Sequence, residues 1–327
     1  GLRALNANTT GADNTAMGRD ALYVNTTGLN NTALGAFVLD ANTTGGYSTA
    51  VGANALGANT TGGHNVAMGR FALKSNTTAS SSVAIGNETL NANTTGTQNT
   101  AVGHAALLAN TTAANCTAIG FYALKGNTTG ASNTAVGAGA LDANTTASNN
   151  TAVGYNSLGS VITSQFNTAV GHTAGGSLTG GDNVCIGYSA GAYGSGTITS
   201  GGSNTIIGAY ARSSGGTMSG ELAIGRYVLG QGASTATLGF NSNGATISID
   251  GSDTSWAAHS DQRLKENITT STAGLSFVND LRPVTYTWKA KNAISEDFVH
   301  YYDADSTDPV NGVAGKTYHG FVAQEMK

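Results

Sequence analysis

Charged residues are scarce in this 327-residue sequence, and they are unevenly distributed. Asp, Glu, Lys and Arg make up only 10% of the residues, and the net charge is −4. Seventeen charged residues lie in 251–327, against fifteen in the much longer segment 1–250. Nucleic-acid-binding surfaces need clustered Lys and Arg, so we expect no nucleic-acid partner. The change in composition near residue 250 indicates a domain boundary.

Long apolar runs and helical patterns are also missing. No apolar run approaches the ~18 residues of a membrane helix, and no signal peptide opens the sequence, so we expect no membrane span. Over residues 1–240 no apolar stripe recurs at the helical spacing, and Gly, Asn and Thr are too frequent for stable helices.

In place of these features the sequence contains a repeat of seventeen residues. Each unit reads Asn-Thr-Ala-Val-Gly, two variable residues, Ala-Leu, two variable residues and Asn-Thr-Thr-Gly. A fixed period of this length is typical of a solenoid. The sequence begins in the middle of a unit, so we expect the native N-terminus to lie upstream of it. The glycines that mark the phase are Gly18, Gly35, Gly52, Gly69, Gly86, Gly103, Gly120, Gly137, Gly154 and Gly171.

The repeat predicts an all-β fold, a parallel β-solenoid or β-roll with two short strands in each coil. Stacking places Val over Val, Leu over Leu and Asn over Asn, with ladders of Asn and Thr hydrogen-bonded from coil to coil. The glycines suit corners that need a positive φ. In this arrangement Val136 and Leu141 are expected inside the coil, and the variable residues after Gly137 outside.

The core of such a coil is thin, which predicts association of several chains. Two Ala, one Val and one Leu offset little of the ~1 kcal/mol or more lost in ordering each residue. The units resemble the head repeats of trimeric autotransporter adhesins, which are left-handed parallel β-rolls. The resemblance covers 1–240 and implies a homotrimer. We assign 1–239 to the solenoid and 240–259 to capping strands.

Two cysteines interrupt the repeat at different positions. Cys116 replaces an Asn and Cys185 an Ala, four coils apart. At ~4.8 Å per coil they are separated by about 19 Å, beyond the reach of a disulfide. We therefore expect two free, buried thiols.

Residues 260–268 read Ser-Asp-Gln-Arg-Leu-Lys-Glu-Asn-Ile and open the charged segment. On the residues alone, a short helix capped by Ser260 or Asp261 is the simplest interpretation. The alternative is a Ser-Lys dyad, in which Lys265 removes the proton of the Ser260 hydroxyl. Five helical residues turn through ~500°, so a dyad requires Ser260 to lie at or before the helix cap.

Three motifs in this segment resemble the C-terminal intramolecular chaperone domain of phage tail spikes and tail fibres. They are 260–268, the Leu-Arg-Pro-Val-Thr-Tyr-Thr-Trp-Lys of 281–289, and the His-Gly-Phe-Val-Ala-Gln-Glu of 319–325. The second of them resembles a strand of that family. Members of that family trimerise the fibre and then cut themselves off before the motif serine. The resemblance implies a small α+β domain over 260–327 whose native C-terminus lies further downstream.

The same resemblance implies the roles of individual residues. Ser260 would be the nucleophile and Lys265 its base, with cleavage between His259 and Ser260. The activity would be at most that of a serine endopeptidase that acts once, on its own chain. The other residues of the motif are Asp261, Arg263, Leu264, Asn267 and Ile268.

Other chemistry has little support in the sequence. A glycosidase needs two acids about 5–9.5 Å apart. Asp20 and Glu88 share one phase of the repeat at ~19 Å, and Asp40 and Asp142 share another at ~29 Å. We expect no metal site and no cofactor, because the histidines show no ligand spacing. They are His64, His104, His172, His259, His300 and His319.

The leading functional hypothesis is a structural and receptor-binding phage tail fibre or spike. It would be assembled in the bacterial cytoplasm and carried on the virion, with other tail proteins and a host cell-surface glycan or protein receptor as partners. The alternative is a trimeric adhesin on a bacterial cell surface. A third possibility, suggested by the Thr ladders, is an ice-binding solenoid.

Overall fold

The Thr-Ala-Val segment of each repeat forms a strand of three residues, and successive strands lie side by side, parallel and in register. The computed structural model describes residues 1–241 and 243–250, together with the strand segments 257–258, 283–286 and 318–321. The chain divides into two compact units, Gly1–His259 and Ser260–Lys327.

The strands of the first unit belong to one sheet. β1 to β14 pair with one another in parallel, whereas β15 is antiparallel to both β14 and β16. A 3-10 helix spans Gly194–Gly196. The first-unit strands are β1 (Thr15–Met17), β2 (Thr32–Leu34), β3 (Thr49–Val51), β4 (Val66–Met68), β5 (Val83–Ile85), β6 (Thr100–Val102), β7 (Thr117–Ile119), β8 (Thr134–Val136), β9 (Thr151–Val153), β10 (Thr168–Val170), β11 (Val184–Ile186), β12 (Thr205–Ile207), β13 (Leu222–Ile224), β14 (Thr235–Phe240), β15 (Asn243–Ser248) and β16 (Ala257–Ala258).

In the second unit, the described residues form one antiparallel pair. β17 (Pro283–Tyr286) pairs with β18 (Tyr318–Phe321), so that Pro283 lies opposite Phe321. These strands fall in the second and third motifs of the charged segment. The sequence placed a strand at the second motif, and the structure confirms it.

The predicted parallel β-solenoid is confirmed, but each regular described coil contains one strand and not two. The remainder of the coil turns through residues with a positive φ, such as Leu141 at 52° and Asn149 at 61°. A positive φ is uncommon for Leu. Here it is supported by hydrogen bonds between coils, for example from Leu141 N to Ser157 O at 3.1 Å.

The corner glycines have the positive φ that the sequence predicted. Gly52 has φ 120°, and a Cβ at this position would lie 2.7 Å from the carbonyl oxygen of Gly69 in the next coil. Any side chain would therefore collide with the neighbouring backbone. The seventeen-residue spacing of glycine thus reflects close contact between coils as well as the turn itself.

Small side chains fill the interior of the coil. In the coil of β8, Ala135, Ala140 and Leu141 have no exposed surface, and neither have Asn133 and Asn144. The burial expected for Leu141 is confirmed.

The burial expected for Val136 is wrong. Side chains alternate along a strand, so burying Ala135 turns Val136 and Thr134 outward, and both are partly exposed. The interior is already occupied by Leu and two Asn, and it has room at the strand only for a methyl group. Hydropathy predicts the larger apolar residue inside, whereas the narrow coil accepts only the smaller one.

Asn side chains form the predicted ladder inside the solenoid. Each donates its amide to the Oδ1 of the Asn in the coil before it and to a carbonyl oxygen of its own coil, as Asn42 does to Asn25 at 2.8 Å and to Gly45 at 2.9 Å. Thr ladders accompany it, since Thr26 Oγ1 donates to the Thr43 carbonyl oxygen at 3.0 Å. We call the Asn ladder the Asn spine, which comprises Asn8, Asn25, Asn42, Asn59, Asn76, Asn93, Asn110, Asn127 and Asn144.

The interior is repacked where the Asn spine ends. Val161 and Leu178 occupy the positions that would continue the spine, and Gly175 and Gly191 replace the interior Leu. Cys185 fills the vacated space: a Cβ on Gly191 would lie 2.7 Å from its sulfur. Both cysteines are free and buried, as expected.

Candidate functional site

The residues predicted to carry out self-cleavage lie outside the described residues. This applies to the proposed nucleophile Ser260, its base Lys265 and the residue before the scissile bond, His259. It applies equally to the supporting motif residues Asp261, Arg263, Leu264, Asn267 and Ile268. Their assignment stays a prediction.

The acidic side chains considered above for a glycosidase pair do not come together in the described coils. Asp20 is buried and paired with Arg3, whose Nε lies 2.7 Å from Asp20 Oδ1. Asp40 and Asp142 are partly buried, and burial raises the pKa of each carboxyl. They remain six coils apart, about 29 Å at ~4.8 Å per coil.

Among the described residues no group of three or more His, Cys, Asp or Glu could hold a metal ion. The described part of the chain also contains no helix of the length and hydropathy of a membrane span.

An apolar ladder runs along the outer face of the parallel sheet. It consists of the residue before each corner glycine, which the sequence placed inside. Exposure reaches 61% for Met17 and 41% for Ile119. We call this row the outer ladder; its members are Met17, Leu34, Val51, Met68, Ile85, Val102, Ile119, Val136, Val153, Val170, Ile186, Ile207, Ile224 and Leu238.

The outer ladder has the properties of an association surface. Its side chains stand directly above one another at ~4.8 Å, since the strands pair in register. Parallel sheets normally have both faces covered, and contiguous exposed apolar patches mark interaction sites.

Aromatic side chains form a second row, at the two positions after the corner glycine. Tyr155 stacks on His172 and His172 on Tyr188, each with ring centroids 5.0 Å apart. The row continues through Tyr210 and Tyr227, whose rings stack at 4.6 Å. We call these five residues the corner row.

A shorter aromatic group precedes the corner row. His104 stacks on Phe121 at 5.5 Å, and the Phe121 and Tyr122 rings are 3.9 Å apart. These positions were predicted only to be variable and exposed, so neither aromatic group was expected from the sequence. Aligning the repeats by phase shows that aromatic residues gather at the same two positions, a signal that was present in the sequence.

The three histidines of the solenoid all stack on aromatic rings, His104 and His172 in the two groups above and His64 on Tyr47 at a different position of the coil. His64, His104 and His172 are exposed, and each contacts an aromatic ring of a neighbouring coil. His319 lies in β18, whereas His259 and His300 fall outside the described residues.

Comparison with known proteins adds one finding. Residues 260–327 match the family model described as chaperone of endosialidase. The match begins at Ser260, where the second unit of the chain also begins. No curated protein and no solved structure matches the chain.

Proposed function

We propose that this chain is the shaft of a phage tail fibre or tail spike that attaches the virion to its bacterial host. The observation that carries the proposal is the order of its two parts. A β-solenoid of seventeen-residue coils leads directly into a segment that matches the chaperone of endosialidase family. The resemblance of 260–268 to tail-fibre chaperones adds support.

The shaft works as a homotrimer in this proposal, and the outer ladder supports it. A partner with the same coil spacing can contact every rung of the ladder along its length, which only another copy of this repeat offers. Burying a row of Ile, Val, Leu and Met contributes about 25 cal/mol for each Å² of apolar surface removed from water. Assembly thereby supplies the packing that one thin coil lacks.

Residues 260–327 act as the assembly factor. They hold three chains together while the solenoids form, and Ser260 then attacks the carbonyl carbon of His259, with Lys265 accepting the serine proton. Lys265 passes this proton to the Ser260 nitrogen as the His259–Ser260 peptide bond breaks, and water then hydrolyses the resulting ester and releases the chaperone. Unfolding of the shaft afterwards is irreversible, because the shaft no longer carries its assembly factor.

Antibodies against residues 1–239 test the role. They should label the tails of virions from the phage that carries the gene, and virions lacking the gene product should fail to adsorb to their host. Labelling of a bacterial surface in the absence of any phage would instead support the adhesin alternative.

One observation favours the ice-binding alternative. The second Thr of each Asn-Thr-Thr is exposed, which forms a regular column with Thr27, Thr44 and Thr61 among its members. The column is only one residue wide, and it does not explain the chaperone match. Thermal hysteresis of a solution of the folded protein would support this function over the tail fibre.

A further inference from the structure

One coil lacks large side chains at the corner. Ala138 and Gly139 occupy the positions held by Phe121 and Tyr122 in the coil before and by Tyr155 in the coil after. The missing side chains leave a cleft of about 200 Å³ between the two aromatic groups. Its lining residues are Phe121, Tyr122, Ala138, Gly139, Asp142, Tyr155 and Asn156.

The rings on both sides of the cleft are supported from behind. His104 stacks on Phe121 from the preceding coil at 5.5 Å, and His172 stacks on Tyr155 from the following coil at 5.0 Å. Phe121 and Tyr155 nevertheless remain 53% and 57% exposed. Two rings held in place by their neighbours form a rigid pair of walls, so a ligand would not have to order them.

The height of the cleft indicates the thickness of its occupant. Phe121 and Tyr155 are two coils apart, which is about 9.6 Å at ~4.8 Å per coil. Carbon contacts of about 3.5–4.0 Å on each side leave about 2 Å for the occupant's own thickness. A flat aromatic ring has all its atoms in one plane and leaves this space unfilled. A pyranose chair is thicker than an aromatic ring, because its carbons alternate in height and its axial C–H groups point out from both faces. It therefore fills more of this space, and those C–H groups face the negative faces of the aromatic rings.

Polar groups at the cleft complement hydroxyl groups. The Asp142 carboxylate can accept hydrogen bonds, and the Asn156 amide can both donate and accept them. The negative charge of Asp142 disfavours an acidic sugar. The nearby cation, Lys125, lies over the Tyr122 ring, with its Nζ 4.2 Å from the ring centroid.

We propose that this cleft binds one neutral pyranose residue of a host surface glycan. The inference rests on the proposed attachment role and assigns that role to a particular site. Phe121 and Tyr155 enclose the sugar ring, and Asp142 and Asn156 orient its hydroxyls.

The test measures binding of methyl pyranosides of glucose, galactose, mannose and N-acetylglucosamine to the full chain by saturation-transfer NMR and titration. Ala138→Tyr places the missing ring in the cleft, and neighbouring coils already accept Phe121 and Tyr155 at that position. Ala53→Tyr is the matched control, because it adds the same ring at the same phase between Ala36 and Arg70. Tyr155→Ala removes one wall, and Tyr47→Ala removes an equally exposed ring (57%) that lies outside the corner row and the cleft.

At least one pyranoside should bind in the millimolar range. Ala138→Tyr and Tyr155→Ala should each weaken binding about tenfold or more, since the sugar loses its place or one of its two ring contacts. Ala53→Tyr and Tyr47→Ala should leave affinity unchanged. Binding of none of the four sugars, or equal affinity in Ala138→Tyr, would overturn the proposal. Light scattering on the same samples distinguishes failure of this proposal from failure of the proposed function. A trimer that binds no sugar would contradict the sugar site and leave the proposed trimeric shaft unaffected.

Discussion

Asn144 donates its side-chain amide to Oδ1 of Asn127 at 2.7 Å, and it is the last rung of the Asn spine. Its own Oδ1 is buried and accepts no hydrogen bond, because Val161 stands at the equivalent place in the next coil. A buried acceptor left without a donor costs about 1–3 kcal/mol. The spine therefore has one unsatisfied oxygen at its end and none at the rungs inside it.

Replacing an Asn within the spine should destabilise the solenoid more than replacing the last one. Asn76→Val removes a donor to Asn59 at 2.8 Å and an acceptor for Asn93 at 3.1 Å. Asn144→Val also orphans one neighbour, but it removes an oxygen that was already unsatisfied. We expect Asn76→Val to cost about 1–3 kcal/mol more. Denaturation followed by circular dichroism measures the difference. Equal midpoints for the two variants would show that an inner rung contributes no more than the last one, and midpoints equal to that of the wild type would show that the spine does not stabilise the stack.

An Asp substitution should have different effects on the two faces of the sheet, disrupting association on the outer face and folding on the inner face. Ile119→Asp changes an exposed rung of the outer ladder, so the coils should still form while the proposed trimer dissociates. Ala118→Asp places a charge inside the coil and should cost several kcal/mol, unfolding it.

Light scattering and circular dichroism separate these two effects. A wild-type protein that is a stable, cooperatively folding monomer would contradict the trimer proposal. Trimers that persist in Ile119→Asp would exclude the outer ladder as the interface.

Self-cleavage should depend on both members of the proposed dyad. In the full-length gene product, the wild type should give two fragments, the smaller beginning with Ser260. Ser260→Ala and Lys265→Ala should remain uncut and still form trimers, because the proposed mechanism makes folding and cutting separate functions of the domain. Mass spectrometry and N-terminal sequencing identify the cut. Cleavage that continues in Ser260→Ala would show that Ser260 is not the nucleophile, and the helix cap would then be the better interpretation of the motif.

The buried thiol of Cys185 should make stability fall at alkaline pH. Burial raises its pKa from 9.0 to about 12. Below pH ~9 the thiol keeps its proton in both states, so it adds no pH dependence. Between about 9 and 12 the unfolded chain ionises while the folded one does not, so stability decreases as pH rises.

Cys185→Ala should reduce this alkaline decrease, since Ala is the usual residue at that position of the repeat. Unfolding midpoints measured from pH 7 to 11 for the two proteins make the comparison. Identical profiles would show that Cys185 does not contribute. Thiol reagents at pH 8 should likewise reach Cys185 only after unfolding.

The period of the fold was determined by the sequence alone. Identical units at a fixed spacing can bury their apolar residues only by stacking in register, so Gly18 to Gly171 specify parallel coils, positive-φ corners and ladders of Asn and Thr. The strand at 283–286 could likewise be predicted from its motif. The repeat features depend only on a unit and its immediate neighbours, and the strand depends on its own motif, so both can be found from the sequence.

The tertiary structure decided which side of each strand faces inward and which side chains meet across coils. Hydropathy favoured Val136 inside, but Leu141 and the Asn side chains leave space beside the strand only for Ala135. The cleft between Phe121 and Tyr155 depends on residues 34 positions apart, which become neighbours only because two turns of the solenoid rise ~9.6 Å. Volume inside a coil and distance between coils are properties of the folded chain, and no single repeat contains them.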